Sequence, residues 1–116
     1  MKVKKIWDLT QFHPEKMQKI NLFQSSRMFC DIYCFEPGQK QSLHSHEGND
    51  KIYFVLKGVG LFTVGEESRT LKEGESTWAT SGEPHGVLNN SQESLVCLVF
   101  MAPHPRPSQL ASPTRA

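Results

Sequence analysis

The sequence has no long apolar run, no excess of either charge and no cysteine pattern able to staple a fold. Its longest apolar stretch, Leu95 to Ala102, falls far short of the roughly 20 apolar residues of a membrane-spanning helix, so no membrane partner is expected. Thirteen Lys and Arg face twelve Asp and Glu, a net charge of +1. Nucleic acid is not expected as a partner either, because binding it needs a basic excess or a clustered basic stripe. Three cysteines without a CxxC make neither a disulfide framework nor a zinc knuckle. Cys30 and Cys34 on one extended strand would lie roughly 13 Å apart at about 3.3 Å per residue, too far to bridge. They and Cys97, inside the apolar run LVCLVF, read as small buried hydrophobes, with the Cys97 thiol kept protonated by burial. The basic start Met1-Lys2-Val3-Lys4-Lys5 is followed by Ile6-Trp7-Asp8-Leu9-Thr10, which breaks the apolar run that a signal peptide requires. A cytoplasmic location is expected.

Sustained helical periodicity is missing too, and short strands take its place. At 116 residues, 37% of them hydrophobic, the chain has room for one domain with one core. Residues 1–26 read as an N-terminal arm, with Ile6-Trp7 as a short edge strand and a turn or single helical turn at Phe12 to Lys16. Strands are expected at Arg27 to Phe35, around Leu43 to His46, and as a hairpin of Lys51 to Leu56 and Val59 to Val64 turning at Lys57-Gly58. Further strands are Arg69 to Leu71, Ser76 to Ala79, His85 to Asn89 and Leu95 to Phe100. Short strands with turn signals every eight to twelve residues argue an all-β sandwich or barrel over residues 27–102. From Pro103 the composition turns to Pro, Ser and Thr, so residues 103–116 read as a flexible tail, with His104 exposed to solvent. Phe35, Phe62, Trp78 and Met101 are large enough to wall a cavity and are expected in the core.

Two stretches organise the chain. The first runs Gly38, five residues, His44, one, His46, four, Lys51, six, Gly58; the second runs Gly74, seven residues, Gly82, two, His85, three, Asn89. If His44 and His46 share a strand, the two-residue period points both imidazoles to one face, and His85 from a neighbouring strand completes a three-nitrogen metal site. The glycines are expected at turns needing open backbone geometry, and Asn89 is expected to satisfy backbone groups near the last strand.

Over about Phe29 to Phe100 these spacings resemble the paired motifs of the cupin superfamily. The resemblance implies a single-domain cupin β-barrel, a double-stranded β-helix of jelly-roll type, with a metal held inside by His, His, Glu and His. His44, His46 and His85 match three of those ligands. At the glutamate position stands Lys51, whose ammonium has no lone pair for a metal, and at a position where the family usually has proline stands Thr80. Asp50 is the substitute ligand candidate, although strand alternation points it outward if Lys51, Tyr53 and Val55 point inward, unless a bulge at Gly48-Asn49 resets the register.

Three imidazoles are neutral ligands, so a bound divalent ion keeps its full charge and open positions, a setting that attracts an anionic or bidentate oxygen ligand. Imidazole suits Zn, Ni, Co and Cu as well as Fe and Mn; Fe or Mn is favoured because the resemblance implies oxygen-dependent chemistry in many relatives. An inward Lys51 would move a proton or pair with a substrate carboxylate, while an outward one would be an ordinary solvated lysine. Tyr53 is a candidate substrate contact. The reading is a metal-dependent oxidoreductase, dioxygenase-like, acting on a small organic molecule. The alternatives are a non-redox isomerase or lyase acting on a sugar acid, and a ligand-binding cupin without turnover. Small cupins commonly pair, so a homodimer is expected.

Overall fold

The computed structural model describes residues 1–105; the expected tail beyond Pro105 lies outside the described residues. The elements are α1 (Ile6–Leu9), β1 (Gln18–Gln24), β2 (Phe29–Phe35), β3 (Lys40–His44), β4 (Asp50–Lys57), β5 (Val59–Val64), β6 (Glu67–Lys72), β7 (Ser76–Ala79), β8 (His85–Leu88) and β9 (Leu95–Ala102). Every strand pairing is antiparallel, and the strands form two sheets, ordered β1-β2-β9-β4-β7 and β3-β8-β5-β6. This is the expected double-stranded β-helix. Among the described residues no helix is long and apolar enough to cross a membrane.

Alternation explains how each sheet faces the other. On β4, Lys51, Tyr53 and Val55 are buried while Asp50, Ile52 and Phe54 are exposed, the period of two that a pleated strand imposes. β2 is buried along its whole length because both of its faces are covered. Phe29, Tyr33 and Phe35 join Tyr53, Phe62, Val87, Cys97 and Met101 between the sheets. Cys30, Ile32 and Cys34 instead face a second cluster with Leu22 and Val96, covered by Ile6, Leu9 and Ile20 of the N-terminal arm. All three cysteines are buried and unbridged, and burial pushes each thiol up.

Four local expectations are corrected. Ile6-Trp7 form no edge strand: they open the single helical turn α1, which sets Ile6 and Leu9, three apart, against the same cluster where an extended chain would oppose them. The edge strand lies at Gln18–Gln24, where the apolar alternation is too weak to announce it. Trp78 is 57% exposed, because it pairs with Ile52 on the outer face of its sheet. His104 is 3% exposed rather than solvated, with its ring edge-on to Phe29 at 5.8 Å and Nε2 at 3.1 Å from Gln24 Oε1.

The motif glycines hold turns, and Asn89 closes one. Gly38, Gly58, Gly74 and Gly82 all have positive φ. Asn89 Nδ2 donates to the carbonyls of Phe35 (3.1 Å) and Glu93 (2.8 Å), tying the end of β2 to the turn before β9. Gly58 is the most constrained of these glycines: at φ +87° a Cβ would run into the Ser94 carbonyl oxygen. Gly58→Ala is therefore expected to destabilise the protein by about 3 kcal/mol, combining left-handed strain with overpacking. Thermal unfolding of the variant beside Gly38→Ala, where a Cβ meets nothing, isolates the contribution of the close approach.

Candidate metal centre

The seam between β3 and β8 builds the site. His44 is the last residue of β3, His85 the first of β8, and the two are register partners. His46 lies past the end of β3, so the two histidines of the first motif do not share one strand. Their rings still converge. Centroids are 5.0 Å apart for His44 and His46, 4.3 Å for His44 and His85, and 5.7 Å for His46 and His85. One nitrogen from each ring lies within 4.8 Å of the others. Gly86 permits this closeness, since a Cβ there would sit 2.9 Å from the Gln41 carbonyl oxygen and 3.2 Å from Leu43 Cα.

Backbone carbonyls orient two of the rings. His44 Nδ1 lies 2.8 Å from the Ser42 carbonyl and His85 Nδ1 3.0 Å from that of Glu83. A carbonyl only accepts, so each Nδ1 carries the proton and each Nε2 keeps its lone pair. Carbonyl-anchored histidines of this kind are the usual support of a metal ligand. Among the described residues the Nε2 atoms of His46 and His85 are buried with no hydrogen-bond partner, a cost that a ligated cation would remove. The residues present therefore fit a divalent ion held by His44, His46 and His85.

Electrostatics keep the trio ready for a cation. Burial lowers the pKa of His44 and His46 below the ordinary imidazole value, and for both the positive charges of Lys51 and Lys19 act the same way. His85 is pushed down to about 4, first by burial and then by Lys51 and the other two imidazoles, against the opposing Glu83 carbonyl. All three are neutral donors at neutral pH.

Lys51 points inward. It is 1% exposed, and its Nζ lies 5.1 Å from the Tyr33 ring centroid and 5.3 Å from that of Tyr53. Burial and Lys19 pull its pKa down to about 7, while Asp31 pulls the other way. Asp50, its neighbour on β4, is exposed, and its Oδ1 accepts the Ser81 N–H at 3.0 Å; the structure does not bring it to the three imidazoles. Tyr53 is buried and 6.2 Å from the His85 ring, with its hydroxyl donating to Gln41 Oε1 at 2.8 Å. Burial raises its pKa well above the ordinary value, so it remains a phenol.

The sequence reading missed Gln41. Its Nε2 is buried without a partner, a donor waiting for an acceptor beside Tyr53. A register irregularity between Gln41 and His44 lets residues of opposite parity both turn inward, which defeats simple alternation. A cavity of about 310 Å³ is lined in part by Phe62, Arg69, Thr77, Trp78 and Glu83. Phe62, one of its lining residues, also packs against Tyr53, the two ring centroids being 5.6 Å apart.

Comparison with known proteins agrees with this architecture. The family model for the cupin domain matches residues 31–101, and the chain belongs to the cupin family. It is 30% identical over 85 residues to the oxalate-binding protein of Thermotoga maritima, a match covering 73% of this chain and 69% of that protein. A crystal structure from Thermus thermophilus shares 46% identity at a TM-score of 0.86, covering 89% of this chain and 98% of that one. A Thermotoga maritima structure described as a predicted oxalate decarboxylase is 25% identical at a TM-score of 0.71, covering 74% of this chain and 79% of that one.

The neutral trio sets a pH signature. Because the folded imidazoles titrate below their unfolded value near 6.5, protons bind the unfolded chain more tightly. Metal-free protein should keep its full imidazole contribution to stability above pH 6.5 and lose it as pH falls towards 4. Metal affinity should decline as pH falls below 6.5, since protons then compete for the same lone pairs, and should rise further as Lys51 loses its charge through about pH 7. Calorimetric titration with Mn(II) or Zn(II) across that range, beside His85→Ala, measures both effects; His85→Ala is expected to lose stoichiometric metal.

Proposed function

We propose that this cupin holds one divalent transition metal on His44, His46 and His85 and binds on it a small chelating anion. The observation that carries the reading is the inward Lys51, an amino group 1% exposed beside three neutral imidazoles. A buried ammonium beside neutral imidazoles is costly even with Asp31 near it, and an incoming carboxylate would supply a further anion to Lys51 at the histidine centre. A relative bearing the name oxalate-binding protein supports a ligand of this class. Fe or Mn is the expected ion.

When bound, the metal supplies Lewis acidity and, as iron or manganese, one-electron chemistry. The chain's own residues do the rest. Lys51, with its pKa near 7, exists in both protonation states at neutral pH and can hold or release a proton at Nζ. Tyr53, fixed by Gln41, orients the ligand, and the unpartnered Gln41 Nε2 offers it a hydrogen bond. Two catalytic readings share this site. One is the oxygen-dependent reaction that the cupin motifs imply; the other is a non-redox proton transfer, favoured by the inward Lys51.

Homodimer formation is proposed through the outer face of β4 and β7. There Ile52, Phe54 and Trp78 are 42%, 36% and 57% exposed, whereas the same sheet face over β2 and β9 is covered by the arm. An apolar strip continuing a covered one fits a second copy of this chain.

Calorimetric titration of oxalate into Mn(II)-loaded protein tests the ligand class. Lys51→Met should weaken oxalate binding at least tenfold with metal content unchanged, and binding to the wild type should weaken as pH rises through 7 and Nζ loses its charge. Oxygen uptake by the Fe(II)-loaded protein with chelating acids supports the oxygenase reading; turnover with Zn(II) under strict anaerobiosis supports proton transfer; absence of saturable binding sinks the reading. Trp78→Arg is expected to convert a dimer to a monomer in light scattering, and a monomeric wild type refutes the dimer.

A further inference from the structure

β1 brings a second cation to the site. Lys19 is the register partner of Tyr33, and on an antiparallel pair partner side chains project from the same face. Its Nζ lies 5.4 Å from the Tyr33 ring centroid, while Lys51 Nζ lies 5.1 Å from it. Two ammonium groups from different strands therefore share one aromatic ring. Lys51 is inside the barrel and Lys19 is exposed, so the pair runs from the interior towards solvent.

Charge around the ring is weighted towards cations. Asp31, 1% exposed and two residues before Tyr33, is the buried carboxylate nearby, and its Oδ1 accepts Asn21 Nδ2 at 3.0 Å. The two lysines and this one carboxylate together carry a single net positive charge when both lysines are protonated. The imidazoles add none, so an ion held by them keeps its full charge. A ligand of one negative charge, shared between the metal and Lys51, would leave the surroundings of the site strongly cationic.

We propose that Lys19 and Lys51, placed about the Tyr33 ring, form a second anion subsite next to the three-histidine centre. The ligand is then a chelating acid that carries a second carboxylate or an equivalent anionic group. The chelating end takes the metal, and the second anion lies against the two ammonium groups. Ring contact holds both cations in place, which reduces the side-chain entropy lost when the anion arrives. This inference rests on the anion-binding reading of the histidine centre.

Malate and lactate separate the two, because they share a 2-hydroxy acid end and differ by one carboxylate. Each is titrated calorimetrically into the full-length, Mn(II)-loaded protein. Malate should bind about tenfold more tightly than lactate, a screened charge pair of roughly 1.4 kcal/mol. Lys19→Gln should bring the ratio near unity with metal content intact, and Lys19→Arg should restore it. A wild type that binds both acids equally, or a Lys19→Gln variant that keeps the full malate preference, overturns the second subsite and leaves the histidine centre standing. Should neither acid bind to protein carrying stoichiometric metal, the anion-binding reading fails and the subsite fails with it.

Discussion

The pairing of the end of β3 with the start of β8 is the constraint on which the site depends. It sets His44 opposite His85 and is close enough that only glycine fits at position 86. That closeness keeps the imidazoles neutral. Burial disfavours the charged rings, and the carbonyls of Ser42 and Glu83 accept hydrogen bonds from Nδ1–H of His44 and His85, so the Nε2 atoms of those two rings are left as acceptors. A polar atom buried without a partner is otherwise among the costlier features a small domain can carry. Two such atoms meeting at one point are better explained by a cation than by chance.

Alternation made much of this legible before any coordinates. It put Lys51 and Tyr53 on one face of β4 and Asp50 on the other while leaving open which face is inner, and the two-motif spacing picked out the three histidines that the fold brings together. Alternation failed where its premise failed. The irregularity between Gln41 and His44 turned a residue of the wrong parity inward, hiding Gln41. Trp78 reads as core by size and is outside by register. The arm was the least legible part: its strand carries Lys19, Asn21 and Gln24 among few buried apolar residues, and such an edge strand takes its order from β2 rather than from its own pattern. His104, among prolines, gave no sign that its ring would meet Phe29.

An ammonium at the fourth position changes the charge of the proposed site. Where the resembled pattern has a carboxylate ligand, Lys51 replaces one negative charge by one positive. A carboxylate would reduce the charge of the metal centre and complete its shell; Lys51 does neither. Its companions explain how the chain tolerates it. Tyr33 and Tyr53 present ring faces to Nζ, and Asp31 pulls the pKa upward against burial. The balance near neutrality means that the lysine is neither a permanently paired structural cation nor a permanently neutral amine, and an anion entering the site decides its state.

The same balance bears on which strands contribute to function. β4 supplies Lys51 and Tyr53, and β3, the segment that follows it and β8 supply the imidazoles, all inside the region matched by the cupin family model. Lys19 lies outside that region, on a strand that, among the described residues, pairs only with β2. A charge placed there acts on the site through Tyr33, Lys51, His44 and His46 without disturbing the barrel seam. On the proposed reading, ligand preference would shift through the arm while the histidine trio stays fixed, because a solvent-facing residue on an edge strand is replaced at little cost in stability, whereas the trio is tied to the seam of β3 and β8.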